Sequence, residues 1–263
     1  MVGGGAAGVV IPPMGVGEIV DGGLTLARRN FRLLVTIAAW GVLPGFAVQA
    51  LVSAAGTSPI APVLGSLVGA VPHALAWIAL SVACAWLVDP QFADGSPTTA
   101  GSFRVALRRV FAMVRLMLVL AVVALPLVIF FPVGIYLVVR WAAATNVVVV
   151  ERAGALRALR RSWELTARAW WHTAVVILLA TIAIAVLELV LTGMVGMVIG
   201  IAQFLLQMPT ATVVLAATFR SAISLIVLPF TAAILTVLYF ELRARAEGYD
   251  LNRRIVELAA ARP

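Results

Sequence analysis

From Leu116 to Val150 the chain runs for 35 residues with Arg140 as its only charge. As one straight helix this segment would extend about 52 Å, against about 30 Å of hydrocarbon in a bilayer. Phe131-Pro132-Val133-Gly134 stands in its middle and supplies a turn, and Arg115 and Arg152 bracket it. A hairpin of two short membrane spans, Leu116–Phe131 and Val133–Val150, accounts for all of this. Composition extends the argument to the whole chain. Of 263 residues, 63% are hydrophobic and 11% charged, where soluble domains average about 45–50% and about 25%. Those values exclude both a water-soluble enzyme and a disordered chain. The fold class expected is all-α, a polytopic transmembrane bundle of about six spans.

The other spans are Leu33–Ala55 with Pro44, Val63–Val88 with Pro72, Thr173–Leu206, and Ser221–Phe240 with Pro229. Every one of the 19 cations is an arginine, and 17 of them lie in four segments: before the first span, 89–115, 151–171 and the C-terminal tail. The opposite connections, Gly56–Pro62, Pro132 and Gln207–Thr212, hold none. Cytoplasmic segments retain arginine, so both termini are expected in the cytoplasm of a bacterial cell, with the chain in the inner membrane. The net charge of +8 is then explained by anionic lipid headgroups rather than nucleic acid. Residues 1–14, Gly-rich and without a basic start or cleavage site, are read as a tail rather than a signal peptide. Residues 15–251 form one membrane domain and 252–263 a cytoplasmic tail.

Three cytoplasmic segments read as amphipathic helices lying in the interface. Gly15–Arg32 leads into the first span, weakened by Gly22-Gly23. In Ser102–Arg115 the apolar residues Phe103, Leu107, Val110, Phe111 and Val114 recur at helical spacing. In Ala155–Trp170 the expected apolar face is Leu156, Leu159, Trp163 and Trp170, opposite Arg157, Arg160, Arg161, Glu164 and Arg168. The tail alternates charge through Glu241, Arg243, Arg245, Glu247 and Asp250, which reads as a solvated helix or as a docking surface. The docking residues so selected are Arg160, Arg161, Trp163, Glu164, Arg243, Arg245, Glu247, Tyr249 and Asp250.

Ionisable residues inside spans carry a functional expectation, because an unpaired charge there is costly. They are His73, Arg140, Glu188 and Arg220. Counted from the cytoplasmic end of each span, they lie about 22, 15, 22 and 30 Å deep. Arg140 and Glu188 are therefore expected to form an ion pair, with Arg220 as the competing partner. The alternative is a polar pathway built from Arg140, Glu188 and His73. Gly41-x3-Gly45, Gly65-x3-Gly69 and Gly196-x3-Gly200 match the close-packing spacing of membrane helices and are read as contacts within one chain. Lone Cys84 reads as a packing residue.

Three segments, GVGEIVDGGLTLARRNFR (15–32), ERAGALRALRRSWELTARAWW (151–171) and YFELRARAEGYDL (239–251), resemble the bacterial membrane domain named after glycerophosphoryl diester phosphodiesterase and related six-span proteins. That name comes from a catalytic domain sometimes fused to it, which uses paired histidines and carboxylates around a metal. The resemblance implies a non-catalytic membrane module. Direct inspection agrees: His73 and His172 stand apart from carboxylate pairs in sequence, and no phosphate-binding glycine loop, Gly-x-Ser-x-Gly, His-Glu-x-x-His or Cys-x-x-Cys occurs. No cofactor or metal is expected. The leading functional expectation is an accessory or scaffold protein in envelope or lipid processes, with the bilayer and an unidentified protein as partners. A small transporter or channel using Arg140, Glu188 and His73 is the alternative.

Overall fold

The computed structural model describes residues 14–55, 61–89, 97–127, 131–206 and 209–260. Among the described residues there are nine helices and no strand. In chain order they are α1 (Val16–Arg29), α2 (Phe31–Ala55), α3 (Ala61–Val88), α4 (Thr99–Leu127), α5 (Phe131–Trp141), α6 (Ala144–Val150), α7 (Ala155–Thr166), α8 (Trp170–Leu206) and α9 (Pro209–Ala260). The all-helical membrane class follows from the lack of water in a bilayer, which leaves the backbone no partner but itself.

Five helical segments are long and apolar enough to cross a membrane: Phe31–Val48, Val71–Val88, Pro132–Val150, Trp170–Ile201 and Ser221–Glu247. Each coincides with an expected span, Pro132–Val150 with Val133–Val150. The expected third, Leu116–Phe131, is different. It continues without a break from the expected amphipathic helix Ser102–Arg115, and the two form the single helix α4. No glycine or proline separates them, so nothing in the backbone ends the first helix at Arg115. Residues 128–130 and most side chains of 121–131 lie outside the described residues, so the expected span Leu116–Phe131 falls partly outside them. The returning segment is also interrupted, by a turn at Ala142–Ala143 between α5 and α6. Thr173–Leu206 is one unbroken helix within α8, and α9 runs past the expected boundary at residue 251.

Close packing centres on α2 and α3. A Cβ on Gly41 or Gly45 would strike Ala76 or His73 on α3, so these glycines let the two backbones meet. Gly196 and Gly200 have nothing near them among the described residues. α9 is the central helix and touches α1, α2, α3 and α8. Gly23 explains the weak point in α1: a Cβ there would lie 2.6 Å from the Ile234 Cα, so only glycine admits α9. Ile19, Gly23 and Ala27, four apart, form the buried stripe of α1.

Three of the arginine-bearing segments, 89–115, 151–171 and the start of the tail, meet at one end of the bundle. The Arg245 guanidinium on α9 donates to the Met14 carbonyl there at 2.9 Å, while α1 runs back along α9 until Phe31 meets Phe230. Arg161 on α7 meets Glu247 on α9 at 3.5 Å. Burial, with the nearby charges of Arg152 and Arg108, lowers the pKa of Arg109 on α4, so the 89–115 segment lies there too. The excursion from α4 through α6 thus begins and ends at the same end. After α6 the chain reverses at Arg152, whose φ of 56° puts it in the left-handed region, and α7 follows.

Candidate functional site

The residues of α7 and α9 build a polar layer at this end. Its first half is centred on Glu151, just past α6. One Glu151 oxygen, Oε1, accepts from Arg161 Nε at 3.3 Å and from the Tyr239 hydroxyl at 3.0 Å. Arg161 also reaches Glu247 Oε1, which accepts from Arg243 Nε at 2.7 Å. Arg161, Glu151, Tyr239, Arg243 and Glu247 thus form one connected set joining α6, α7 and α9. Deeper in α9, Asn146 of α6 donates to the Leu235 carbonyl at 3.1 Å and accepts from the Thr236 hydroxyl at 3.1 Å. Buried polar groups satisfied in this way fix the register of α6 on α9.

The second half is centred on Glu241, which is fully buried. Its Oε1 is paired with Arg245 one turn later and lies 3.6 Å from His172 Nε2 at the start of α8. Its other oxygen, Oε2, has no partner. The tail reading is corrected here. Glu241 and Leu242, three and four residues after the buried Leu238, are fully buried, so the start of the segment is folded into the bundle, while Glu247 is exposed. Arg161, Arg243, Arg245 and Glu247, selected as a docking surface, are held by partners within the chain. Arg160 and Glu164 pair with each other at 3.2 Å on an exposed surface, a contact of small energy. The side chains of Tyr249 and Asp250 lie outside the described residues.

The buried face of α7 is Ala155, Ala158, Leu159, Ser162, Leu165 and Thr166, whereas Leu156 is 71% exposed. Of the expected apolar face, Leu159 packs against the bundle, while Leu156 and Trp163 are left exposed, as an interfacial face would be. Ser162 Oγ and Thr166 Oγ1 donate to the Arg140 carbonyl at 2.8 and 3.4 Å. The turn at Ala142–Ala143 frees that carbonyl from the helix ladder, and small hydroxyl residues on α7 satisfy it.

The intramembrane ionisable residues do not form one cluster. Arg140 Nε and Nη2 donate to the Tyr136 hydroxyl at 2.9 and 2.7 Å, and its guanidinium lies 4.6 Å from the centre of the Trp163 ring. Trp170 stacks on Tyr136 at 5.6 Å. Arg140 therefore belongs to an aromatic box beside α7, because the break after α5 invalidates counting its depth along a straight helix. No ion pair joins it to Glu188. His73 is bonded on its own helix, Nδ1 to the Gly69 carbonyl at 2.9 Å, and faces Gly45. The Arg220 side chain lies outside the described residues.

Glu188 lines a cavity of about 330 Å³ with Val138, Ala142, Thr181, Thr231 and other residues of α5, α8 and α9. Among the described residues no group of three or more histidine, cysteine or carboxylate side chains could hold a metal. Sequence reasoning selected half of the polar layer and missed Glu151, His172, Tyr239 and Glu241. Their contacts span up to 88 positions of chain, which one sequence does not display. The Tyr136–Arg140 pair, four apart on one helix, was visible in the sequence.

Among known proteins, the family model described as the membrane domain of glycerophosphoryl diester phosphodiesterase matches residues 110–253, more than half of the chain. No curated protein and no solved structure matches it.

Proposed function

The chain belongs to the family of membrane domains of glycerophosphoryl diester phosphodiesterase, and from that membership we propose that it is a non-catalytic accessory or scaffold module in envelope or lipid processes. The observation that carries this reading is the fate of the polar residues. Arg161, Glu151, Tyr239, Arg243 and Glu247, with His172, Glu241 and Arg245, bond to one another and hold α1, α7, α8 and α9 as one plate. A hydrolytic site needs its carboxylates and histidines turned toward a substrate. Here they serve the fold. The reading places the plate at the cytoplasmic face of a bacterial inner membrane, both termini inside, with anionic headgroups and a membrane or cytoplasmic protein as partners.

A small transporter is the second reading, favoured by one observation: Glu188 has no partner among the described residues and lines an open groove between three helices. Arg140 and His73, the other members of the expected pathway, are engaged elsewhere.

The test has three measurements. Purified protein in lipid nanodiscs is offered a glycerophosphodiester with magnesium, calcium or zinc, and no turnover is expected. Metal-dependent turnover abolished by His172→Ala would overturn the non-catalytic reading. A tagged chromosomal copy solubilised mildly should migrate as a complex larger than the monomer, with the same lipid-processing partner in each preparation. Migration as a bare monomer would remove the scaffold role. Reporter fusions after Gly154 and Gly248 should read cytoplasmic, and a fusion after Gly56 outside; the reverse pattern would overturn the orientation.

A further inference from the structure

On α8, Ile177, Ala180, Thr181, Ile184, Ala185 and Glu188 recur at helical spacing and face the same cavity. From Ile177 to Glu188 that stripe extends about 16 Å, so the cavity is a groove along the helix. Thr231, Ile234 and Leu235 of α9 and Val138 and Ala142 of α5 form the other walls. At about 330 Å³ it falls within the size range of small-molecule sites, roughly 300–1,000 Å³. Aliphatic groups dominate the lining, so it suits a hydrocarbon chain.

One end of the groove is not neutral. The Glu188 carboxylate has no hydrogen bond and no ion-pair partner among the described residues. The hydroxyl of Thr231 donates to the Val227 carbonyl at 3.0 Å and is not available to it. Thr181 lies two turns away along α8, about 10 Å. The nearest intramembrane cation on α5, Arg140, is committed to Tyr136 and Trp163. Among the described residues the acceptor at the end of this apolar groove thus has no donor, and an unpaired charge in a span is retained where a ligand or pathway uses it. The complement is a molecule with an aliphatic chain and a positive head.

We propose that the groove between α5, α8 and α9 binds a long-chain organic cation, with its alkyl chain along Ile177–Ala185 and its ammonium group at Glu188. This goes beyond the accessory role and stands whether or not that role holds. A neutral lipid chain is the rival occupant, and it would fill the groove without using the carboxylate.

The experiment uses the full chain in nanodiscs of phosphatidylglycerol, which brings no ammonium of its own. The probe is dodecylamine carrying a photoactivated diazirine on its chain, and the crosslinked peptides are read by mass spectrometry. Label is expected on α8 within 177–188 and on α9 within 231–235. Excess dodecyltrimethylammonium should remove it, and excess dodecanol or dodecanoate should not. Glu188→Gln should lower labelling about tenfold, the effect of losing one charge-assisted contact, while Glu188→Asp retains it. Ala185→Trp, which fills the groove and keeps Glu188, should abolish it. Equal competition by dodecanol, or unchanged labelling of a folded Glu188→Gln protein, would overturn the proposal.

Discussion

The Tyr239 hydroxyl donates to Glu151 Oε1 at 3.0 Å across 88 positions of chain. This bond fixes the turn after α6 to the middle of α9, at a carboxylate that also serves Arg161. Tyr239 is fully buried, so its hydroxyl has no water to return to. Tyr239→Phe should lower stability in detergent by about 1–2 kcal/mol. Paired with Glu151→Gln in a double-mutant cycle, it should show coupling of about 1 kcal/mol. Strictly additive losses in thermal denaturation would mean that the bond does not form.

Glu241 and Arg245 give a second, larger coupling. Arg245→Leu leaves a fully buried carboxylate facing only His172, whereas removing both charges leaves no orphan. Arg245 is about a third exposed, so the loss falls at the low end for a broken buried pair, about 3 kcal/mol. The double change Glu241→Leu/Arg245→Leu should regain most of it. A double variant less stable than either single change would show that the polar layer tolerates no apolar replacement here.

The polar layer also shows what the sequence could and could not display. Span ends are legible in apolar runs bracketed by arginines, and five of the expected spans recur as helices long and apolar enough to cross a membrane. Arg115 was misleading: taken as a boundary, it lies inside α4, where no helix-breaking residue supports a boundary. Alternating charge in 241–250 read as solvation because burial depends on neighbours distant in sequence. Glu241 follows Leu238 by three residues and precedes Leu242 by one, which places it on an apolar face, yet its partner His172 lies on another helix. Depth counted along a straight helix pairs Arg140 with Glu188, and the turn at Ala142–Ala143 that moves it carries no proline or glycine to announce it.

Glycines separate packed from open helix faces. Gly23→Ala would place its Cβ 2.6 Å from the Ile234 Cα, and backbone cannot move aside as a side chain can. A loss of about 1–3 kcal/mol is expected, as for an overpacked core, with α1 loosened from α9. Gly196→Ala meets nothing within 4 Å among the described residues and should be neutral or stabilising, since alanine favours a helix over glycine by up to about 1 kcal/mol. Denaturation of the two variants side by side checks this. A large loss at Gly196 would mean that this face is packed in the protein as purified, by a second copy or a partner.

Arg140 and Glu188 should act independently. Arg140→Leu removes two hydrogen bonds to Tyr136 and the contact with Trp163, so it should destabilise the α5–α7 contact. Glu188→Leu removes an unpaired carboxylate from an apolar groove and should be neutral or stabilising. If the two residues share no partner, the double variant equals the sum of the singles within about 0.5 kcal/mol. Coupling above about 1 kcal/mol would mean that the guanidinium leaves its aromatic box to meet the carboxylate. That result would restore the expected pair, remove the free acceptor from the groove, and favour a polar pathway through the bundle.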